Sequence, residues 1–388
     1  MYFDFRTFFR LGYLSFFKWR DSPARLTVKR VLFLIGFFSI FPIVQGFNAI
    51  CLLIDRIIFP GYRKIEIKKP VFIVGNPRSG TTLMHRMMAR DEKQFFCFRT
   101  WEIIFPAIIQ KKILSFIGRI DRLLGHICSE SIRRFEKKIL GDFYHMHPTG
   151  LFYPEEDEML MVHIFSSIYL VFLFPFPQEI KWLERFDEIA RPEDRKRIMT
   201  FYRSCVRRQA YYKGGKRTLL SKNPLFSPKI KSLYEYFPDC KIIYLVRNPL
   251  EVIPSMQNEL YATCIYSNSQ MRADNYFQEV VYETAKYFYN YPLAQLSQTP
   301  QNSYIIVNYE DLIRSPSSVI QMVYKQFGFE LSPEYLVILN EEEEKAKGYK
   351  SRHVYSIDQF NFTQEQIVSD FKNIFDRFHF DKKGSTGP

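Results

Sequence analysis

Residues 70–90 hold the pattern that most limits what this chain can fold into: a short strand, a glycine loop and a helix in succession. Residues 71–74 (VFIV) are an apolar, mostly β-branched run, which predicts a buried strand. The loop GNPRSGTT follows, and apolar residues then recur at helical spacing up to Met88. A glycine loop between a strand and a helix points backbone N–H groups at an anion. The segment therefore predicts a phosphate site in an α/β domain with a central parallel sheet.

The loop differs at one position from that of nucleoside triphosphatases. Gly75 and Gly80 have the spacing of the GxxxxGK[ST] pattern, but Thr81 stands where that pattern has the lysine that reaches the β and γ phosphates. A cation lies inside the loop instead, as Arg78. These residues disfavour a P-loop nucleotide kinase or NTPase, which stays the second possibility. They favour a shorter anionic tail with one highly charged group near Arg78.

A second anion site is predicted where another strand ends. Lys241–Val246 (KIIYLV) is an apolar run that ends at Arg247, and Ser255 lies eight residues after this arginine. Residues at the strand ends of an open parallel sheet face the ligand crevice. An arginine thus stands where a triphosphatase would have a metal-binding aspartate. We therefore expect a second anionic group here and no magnesium ion.

Both motifs resemble one family. FIVGNPRSGTT resembles the 5′-phosphosulfate loop of the sulfotransferases that use 3′-phosphoadenosine 5′-phosphosulfate (PAPS), and YLVRNPLEVIPSM resembles their 3′-phosphate motif. LLSKNPLFSPKIKSLYEYFPDCKII and IIVNYEDL are similar to further segments of this superfamily. The resemblance covers residues 70–380 and is strongest to a bacterial branch that also resembles tyrosylprotein sulfotransferases. It implies a P-loop-like three-layer fold, PAPS as donor, PAP as product, and no metal.

The resemblance also implies roles for individual residues. The cations for sulfuryl transfer would be Arg78 and Lys222, and the 3′-phosphate would bind Arg247 and Ser255. Tyr309 would lie on the adenosine side. The 5′ group would bind the loop residues Arg78, Ser79, Gly80, Thr81 and Thr82, and Arg352 in a carboxy-terminal basic stretch would close over the nucleotide. The alternatives are a solvated loop lysine for Lys222, a buried strand tyrosine for Tyr309 and a solvated charge run around Arg352.

The sequence leaves the catalytic base open among three groups. Glu102, in RTWE, resembles in position the basic glutamate of the tyrosylprotein family and is our first choice; its alternative role is a structural carboxylate beside Trp101. A buried carboxyl group can have a pKa raised toward neutrality, as a base requires. The other candidates are the histidines of YHMHP and the acids of PEEDE: His145, His147, Glu155, Glu156, Asp157 and Glu158.

Basic charge is concentrated around an uncharged stretch near the amino terminus. The chain has a net charge of +13, and residues 1–70 contribute +8 of it. Residues 31–54 are long enough to span a bilayer, but polar and helix-breaking residues interrupt their middle: Pro42, Gln45, Gly46 and Asn48. Because basic residues flank both ends, we expect a kinked, re-entrant or interfacial helical pair at the cytoplasmic face of a membrane. A buried helical hairpin and a type II anchor are the alternatives.

These patterns predict three segments: a membrane-associated helical segment at 1–69, a sulfotransferase domain at 70–380 and a disordered tail at 381–388. The predicted reaction is transfer of the sulfuryl group from PAPS to a hydroxyl of an apolar, lipid-like acceptor, in the cytoplasm at a bacterial inner membrane. Glu259 stands near where the tyrosylprotein relatives have a further arginine, which disfavours protein tyrosine as acceptor. Residues 168–177 (IYLVFLFPFP) either line an acceptor pocket or belong to the core.

Two non-enzymatic functions are alternatives to this prediction. A binder of membranes or nucleic acids would use the basic patches, but both anion motifs would then have no role. Residues 1–70, around the uncharged stretch 31–54, contribute +8 of the net charge of +13, so little net charge remains for a polymeric nucleic acid and that partner is not expected.

Overall fold

A five-stranded parallel sheet organises the residues described by the structure, a computed structural model: 2–126, 150–267, 275–347 and 361–382, with positions 130, 131, 134 and 136. His145, His147, Arg352 and residues 383–388 lie outside the described residues. The sheet has the order β2-β3-β1-β4-β5. Its strands are β1 Val71–Gly75, β2 Phe95–Phe96, β3 Thr218–Lys222, β4 Lys241–Val246 and β5 Tyr304–Asn308.

Helices precede the sheet and cover it. The first five are α1 Phe5–Phe17, α2 Val28–Ile58, α3 Thr81–Met88, α4 Thr100–Ile104 and α5 Ile108–Leu123. The later α-helices are Leu170–Leu173, Pro177–Glu184, Phe186–Ile189, Pro192–Tyr212, Ile230–Tyr236, Pro249–Ser267, Asn275–Leu296, Tyr309–Arg314, Pro316–Phe327, Pro333–Lys347, Gln364–Asp370 and Lys372–Phe378. Short 3-10 helices lie at Trp19–Asp21, Pro60–Lys64, Asp157–Ile164, Pro224–Lys229 and Gln301–Ser303.

The core lies on both faces of the sheet, as the alternation of side chains along a strand requires. Phe72 and Val74 of β1 pack into one apolar cluster, and Val71 and Ile73 pack into the other. Residues of Pro192–Tyr212 and Asn275–Leu296 fill the first cluster, while residues of α3 and Pro316–Phe327 fill the second. This arrangement confirms the predicted three-layer α/β fold with a central parallel sheet.

The register of the strands brings the predicted site residues to one edge. Ile73 of β1 pairs with Lys222 at the end of β3, and Gly75 pairs with Leu245 near the end of β4. Val246 pairs in turn with Asn308, the last residue of β5. All four strands end at this edge, so the segments that follow them meet there.

The apolar stretch 31–54 lies within one helix, and the predicted helical pair is wrong. Helix α2 runs without a break from Val28 to Ile58 and contains Pro42. Helix α1 packs across it, with the rings of Phe8 and Phe38 5.0 Å apart. The aromatic run at 168–177 belongs to this contact, since Phe174 is buried with its ring 5.0 Å from that of Phe37. These residues therefore belong to the core, where they pack the amino-terminal helices against the domain.

Candidate active site

The two motif glycines shape the loop between β1 and α3. Gly80 has φ of +88° as the N-cap of α3, and a Cβ atom on it would lie 2.6 Å from Cδ2 of Tyr309. Gly75 has φ of +149°, and a Cβ there would lie 2.5 Å from the carbonyl oxygen of Leu245. Both positions therefore require glycine for conformation and for space. The first backbone N–H groups of α3, at Thr81 and Thr82, therefore lie at the edge of the sheet where the strands end, and they have no acceptor within the helix.

Arg78 and Ser255 join the two predicted motifs. Nε of Arg78 donates a hydrogen bond to Oγ of Ser255 at 3.0 Å, although the two residues are 177 positions apart. Nη1 of Arg78 also lies 3.7 Å from Oε1 of Glu259. Arg78 itself has φ of +69°, an uncommon conformation for a side chain of this size, and this is the kind of strain found at functional loops.

Arg247 extends the same cluster. Its Nη1 donates to the carbonyl oxygen of Arg78 at 3.0 Å, and its guanidinium lies 4.2 Å from the ring centroid of Tyr309. Glu251, one turn further along the helix, accepts from Nε of Arg247 at 2.7 Å. This pairing was not predicted, although the i, i+4 spacing of Arg247 and Glu251 is a sequence signal for it. Arg78, Arg247, Ser255 and Tyr309 are thus brought together.

Lys222 is a buried cation at the same edge of the sheet. Only 4% of the residue is exposed, and its Nζ lies 2.7 Å from Oε1 of Glu156 and 3.8 Å from Oε1 of Glu155. Burial alone would lower the pKa of Lys222, but the two carboxylates outweigh burial and raise it. Lys222 is therefore charged at neutral pH, and the solvated loop lysine is excluded. Glu156 also accepts a hydrogen bond from the hydroxyl of Tyr169.

The acids of PEEDE divide into two pairs. Asp157 and Glu158 are buried, and Glu158 pairs with the equally buried Lys229 at 3.3 Å. Asp157 accepts hydrogen bonds from Tyr202 at 2.6 Å, from Ser221 at 2.8 Å and from Asn223 at 3.4 Å. These two acids fix the segment to the domain, while Glu155 and Glu156 face Lys222. The run of four acids in the sequence carries no signal for this division.

Glu102 has the surroundings of a structural carboxylate. It is fully buried in the first turn of α4, where its Oε2 accepts from the backbone N–H of Arg99 at 2.8 Å. Nε2 of Gln209 donates to the same oxygen at 2.8 Å, and Nζ of Lys213 lies 2.6 Å from Oε1. None of these described partners belongs to the cluster of Arg78, Arg247 and Lys222. The geometry therefore argues against Glu102 as the base and for its alternative role as a cap.

The buried carboxyl of Asp157 leads to a prediction about pH. Burial raises the pKa of Asp157 to about 6, so the folded protein holds this proton at pH values where the unfolded chain has lost it. The resulting stabilisation is complete below about pH 4 and is lost as pH rises through about 6. Relative to Asp157→Asn, the wild-type protein should lose about 3 kcal/mol of unfolding free energy between pH 4 and 7 in urea titrations. A difference that is constant with pH would contradict this prediction.

Comparison with known proteins identifies the family. Residues 70–333 match the family described as the Sulfotransferase family. Proteins of Mycobacterium bovis and Mycobacterium tuberculosis, each named omega-hydroxy-beta-dihydromenaquinone-9 sulfotransferase Stf3, are 26% identical over 328 residues. The matched part is 81% of this chain and 76% of either relative. This result favours sulfuryl transfer over the kinase or NTPase alternative.

Two solved structures have the same fold. Sulfotransferase STF9 of Mycobacterium avium superposes with a TM-score of 0.68 at 18% identity, covering 85% of this chain and 82% of that one. Sulfotransferase STF1 of Mycobacterium tuberculosis also gives a TM-score of 0.68, at 17% identity, covering 95% of this chain and 91% of that one. With a parallel sheet, two joined anion motifs and a family match over more than half of its length, this chain belongs to the sulfotransferase family.

Proposed function

We propose that this chain transfers the sulfuryl group of PAPS to a hydroxyl of an apolar, lipid-like acceptor. The observation that carries the proposal is the contact between two arginines, in which the side chain of Arg247 donates to the backbone carbonyl oxygen of Arg78 at 3.0 Å. The two arginines follow neighbouring strands, and Ser255 bonds to the first of them. PAPS has one anionic group at each end of its ribose, so a donor site needs two cationic centres of this kind.

The loop supplies further groups for the 5′ end of the donor. Ser79 is fully buried, and its Oγ atom has no hydrogen-bond partner within the described part of the chain. A buried hydroxyl without a partner is costly unless a ligand satisfies it. Together with the N–H groups of Thr81 and Thr82 at the start of α3, this hydroxyl fits a bound phosphosulfate. The fit supports PAPS as donor, with Tyr309 stacked on Arg247 beside the nucleotide.

Arg247 gives a direct test of the donor site. Arg247→Ala is expected to weaken PAP binding by about 10- to 100-fold, because a charge-assisted contact to phosphate contributes about 1.5–3 kcal/mol. Isothermal titration of PAP measures this change. Arg314→Ala, which removes an exposed arginine beyond Tyr309, serves as the matched control and should leave the affinity unchanged. Magnesium-dependent ATP binding without PAP binding would support the kinase alternative instead.

We propose Glu156, with Glu155 beside it, as the carboxylate that receives the acceptor proton. In-line transfer of a sulfuryl group needs a cation at the leaving oxygen and a base at the attacking hydroxyl, on opposite sides of the sulfur atom. Lys222 and Glu156 supply one group of each kind at the same strand edge, where they form an ion pair of 2.7 Å. When Lys222 turns to the sulfuryl group, Glu156 loses its ion-pair partner and becomes free to accept a proton. Arg78 would hold the sulfuryl oxygens during transfer.

Isosteric variants of Glu156 and Glu102 distinguish the proposed base from the structural carboxylate. Glu156→Gln should lower kcat by about 10²- to 10⁴-fold, the usual contribution of a general base, with PAP affinity within about threefold of wild type. Glu102→Gln should instead lower the melting temperature, because Gln209 and Lys213 lose their buried partner, and should leave kcat within about tenfold. If Glu102→Gln abolished turnover at an unchanged melting temperature, Glu102 would be the base.

The acceptor class rests on the name of the curated relatives. The relatives' name specifies an ω-hydroxylated dihydromenaquinone, which is a hydroxyl on a long apolar molecule. Labelled sulfate should pass from PAPS to a total lipid extract when the enzyme is present, and mass analysis would identify the product. Transfer only to water-soluble phenols or tyrosyl peptides, with none to the lipid extract, would refute a lipid-like acceptor.

A further inference from the structure

Helix α2 turns its most apolar surface outward. It is long and apolar enough to cross a membrane, with a mean hydropathy of 2.0 in its best 18-residue window, yet only 11% of that window is buried. A core helix of a soluble domain would show the reverse. The exposed large apolar residues lie along one side of the helix, most of them three or four positions apart: Val28, Leu32, Ile35, Ile40, Ile43, Val44, Phe47, Ile50, Leu53, Ile57 and Ile58.

Two of the helices that pack against α2, α1 and α5, carry a similar stripe of exposed apolar residues. On α1 the exposed residues lie four positions apart: Phe5, Phe9, Tyr13 and Phe17. On α5 they follow a helical period as well: Ile113, Phe116, Ile117, Ile120, Leu123 and, directly after the helix, Leu124. We call the three stripes together the apolar face. Because α5 belongs to the family-matched part of the chain, this face is not confined to the amino-terminal segment.

The opposite side of α2 is fastened to the catalytic domain along its whole length. Arg30 donates to the carbonyl oxygen of Leu173 at 2.7 Å, and Asn48 accepts from Gln110 at 2.7 Å. Asp55 lies 2.9 Å from Nε of the buried Arg208. A helix that crossed a bilayer would carry these groups and their partners into hydrocarbon, where polar groups are expensive. The contacts therefore fit a helix that lies along a bilayer surface.

Exposed basic residues surround the apolar face. They stand at the ends of α1 and α2 and along α5: Arg6, Lys18, Arg20, Lys29, Arg56, Arg63, Lys64, Lys112, Arg119 and Arg122. A second copy of the chain would bring the same positive charge against itself, which is unfavourable. An anionic lipid surface gains from both the apolar and the basic residues. The combination favours a bilayer as the occupant.

We propose that the apolar face of α1, α2 and α5 inserts into one leaflet of an anionic bilayer, with α2 in the plane of the membrane. The 3-10 helix Asp157–Ile164 links this surface to the site: it starts beside Glu156, and its last carbonyl oxygen accepts from the N–H of Asp4 at 2.9 Å. Eight residues at about 2 Å per residue span roughly 16 Å. If the proposed function holds, this short distance brings a membrane-dissolved acceptor within reach of the site.

Vesicle binding of the full-length protein tests the surface. Flotation with vesicles of phosphatidylglycerol and phosphatidylcholine should recover the wild-type protein, and Ile43→Asp with Phe116→Asp should weaken binding by tenfold or more. Val337→Asp, a similarly exposed apolar residue on Pro333–Lys347, is the control and should bind like wild type. Equal binding of all three proteins would overturn the proposal. The proposal would also be overturned if the two aspartate substitutions left vesicle binding unchanged and instead converted a dimer into monomers, as measured by light scattering.

Cysteine labelling tests whether α2 lies in the plane of the membrane or crosses it. Lys29→Cys and Arg63→Cys place a thiol near either end of the helix, and the unsubstituted chain gives the background from the native cysteines. With protein added to preformed vesicles, a membrane-impermeant maleimide outside should label both new thiols. Protection of one end would show a spanning helix and overturn the in-plane arrangement. Neither experiment depends on catalysis, so failure of the proposed reaction and failure of this surface are distinguishable.

Discussion

Replacing Lys222 by methionine should reduce kcat by about 10²- to 10³-fold, the range found when one preorganised donor to a transition-state oxygen is removed. Lys222 is the buried cation at the end of β3, with its pKa held high by Glu155 and Glu156. Methionine has a similar volume but no charge, so negative charge developing on the leaving oxygen would lack its partner. The leaving oxygen remains in PAP as an oxygen of its 5′-phosphate, so PAP affinity should fall as well, by at most about 10- to 100-fold. Steady-state transfer assays and PAP titration measure the two quantities.

Two companion variants make this prediction specific. Lys222→Arg keeps a charge and should retain more activity than Lys222→Met. Lys231→Met removes an exposed lysine whose described contact is made by its backbone N–H, and it should be as active as wild type. A Lys222→Met enzyme with near-normal kcat would show that the cation serves the fold alone. A loss of PAP affinity well beyond about 100-fold in that variant would exceed one lost contact and would indicate a damaged site.

Substitution of Asp55 by alanine should lower the unfolding free energy by about 3–5 kcal/mol, the usual cost of leaving one member of a buried ion pair alone. Asp55 is fully buried, and its partner Arg208 is 3% exposed. Its carboxylate also accepts from the backbone N–H groups of Ile108 and Ile109, the first residues of α5. The variant would therefore uncap α5 and release the end of α2 together. Urea titration of the full-length protein measures the change.

The neighbouring Arg56 provides the control for Asp55. Arg56 is exposed on the same helix, and Arg56→Gln should change the unfolding free energy by less than about 0.5 kcal/mol. Arg208→Met added to Asp55→Ala should cost less than the sum of the two single changes, because the second removes a charge that the first left unpaired. If Asp55→Ala cost less than about 1 kcal/mol, the attachment of α2 to the domain would be weaker than its contacts imply.

The central part of the fold was predictable from local patterns. Apolar runs at 71–74 and 241–246 and the loop between Gly75 and Gly80 follow rules that act over a few residues, and the sheet and its parallel direction confirm them. A helical pair was predicted in place of the single helix α2 because basic residues flank both ends of the stretch and residues such as Pro42 interrupt its middle. In the fold, the polar residues of this stretch face the domain: Gln45 bonds to His163 and Asn48 bonds to Gln110.

The proposed donor residues have a clearer sequence signal than the proposed base. Arg78, Arg247 and Ser255 lie in motifs whose spacing carries the information, and they meet in the structure as those motifs imply. The choice among Glu102, Glu155 and Glu156 depends on what surrounds each carboxylate. Gln209 and Lys213, which contact Glu102, are more than a hundred residues away in sequence, so no local sequence pattern indicates these contacts.

The sequence by itself determined the fold class, the family resemblance and the two anion motifs, because each rests on short-range periodicity or on fixed spacing within one segment. Only the tertiary structure decided which acids are tethered and which face Lys222, and which side of α2 is exposed. Both depend on contacts between distant segments: Asp157 with Tyr202, and Asp55 with Arg208. Burial and charge pairing arise when those segments meet, and a side chain's role follows from them.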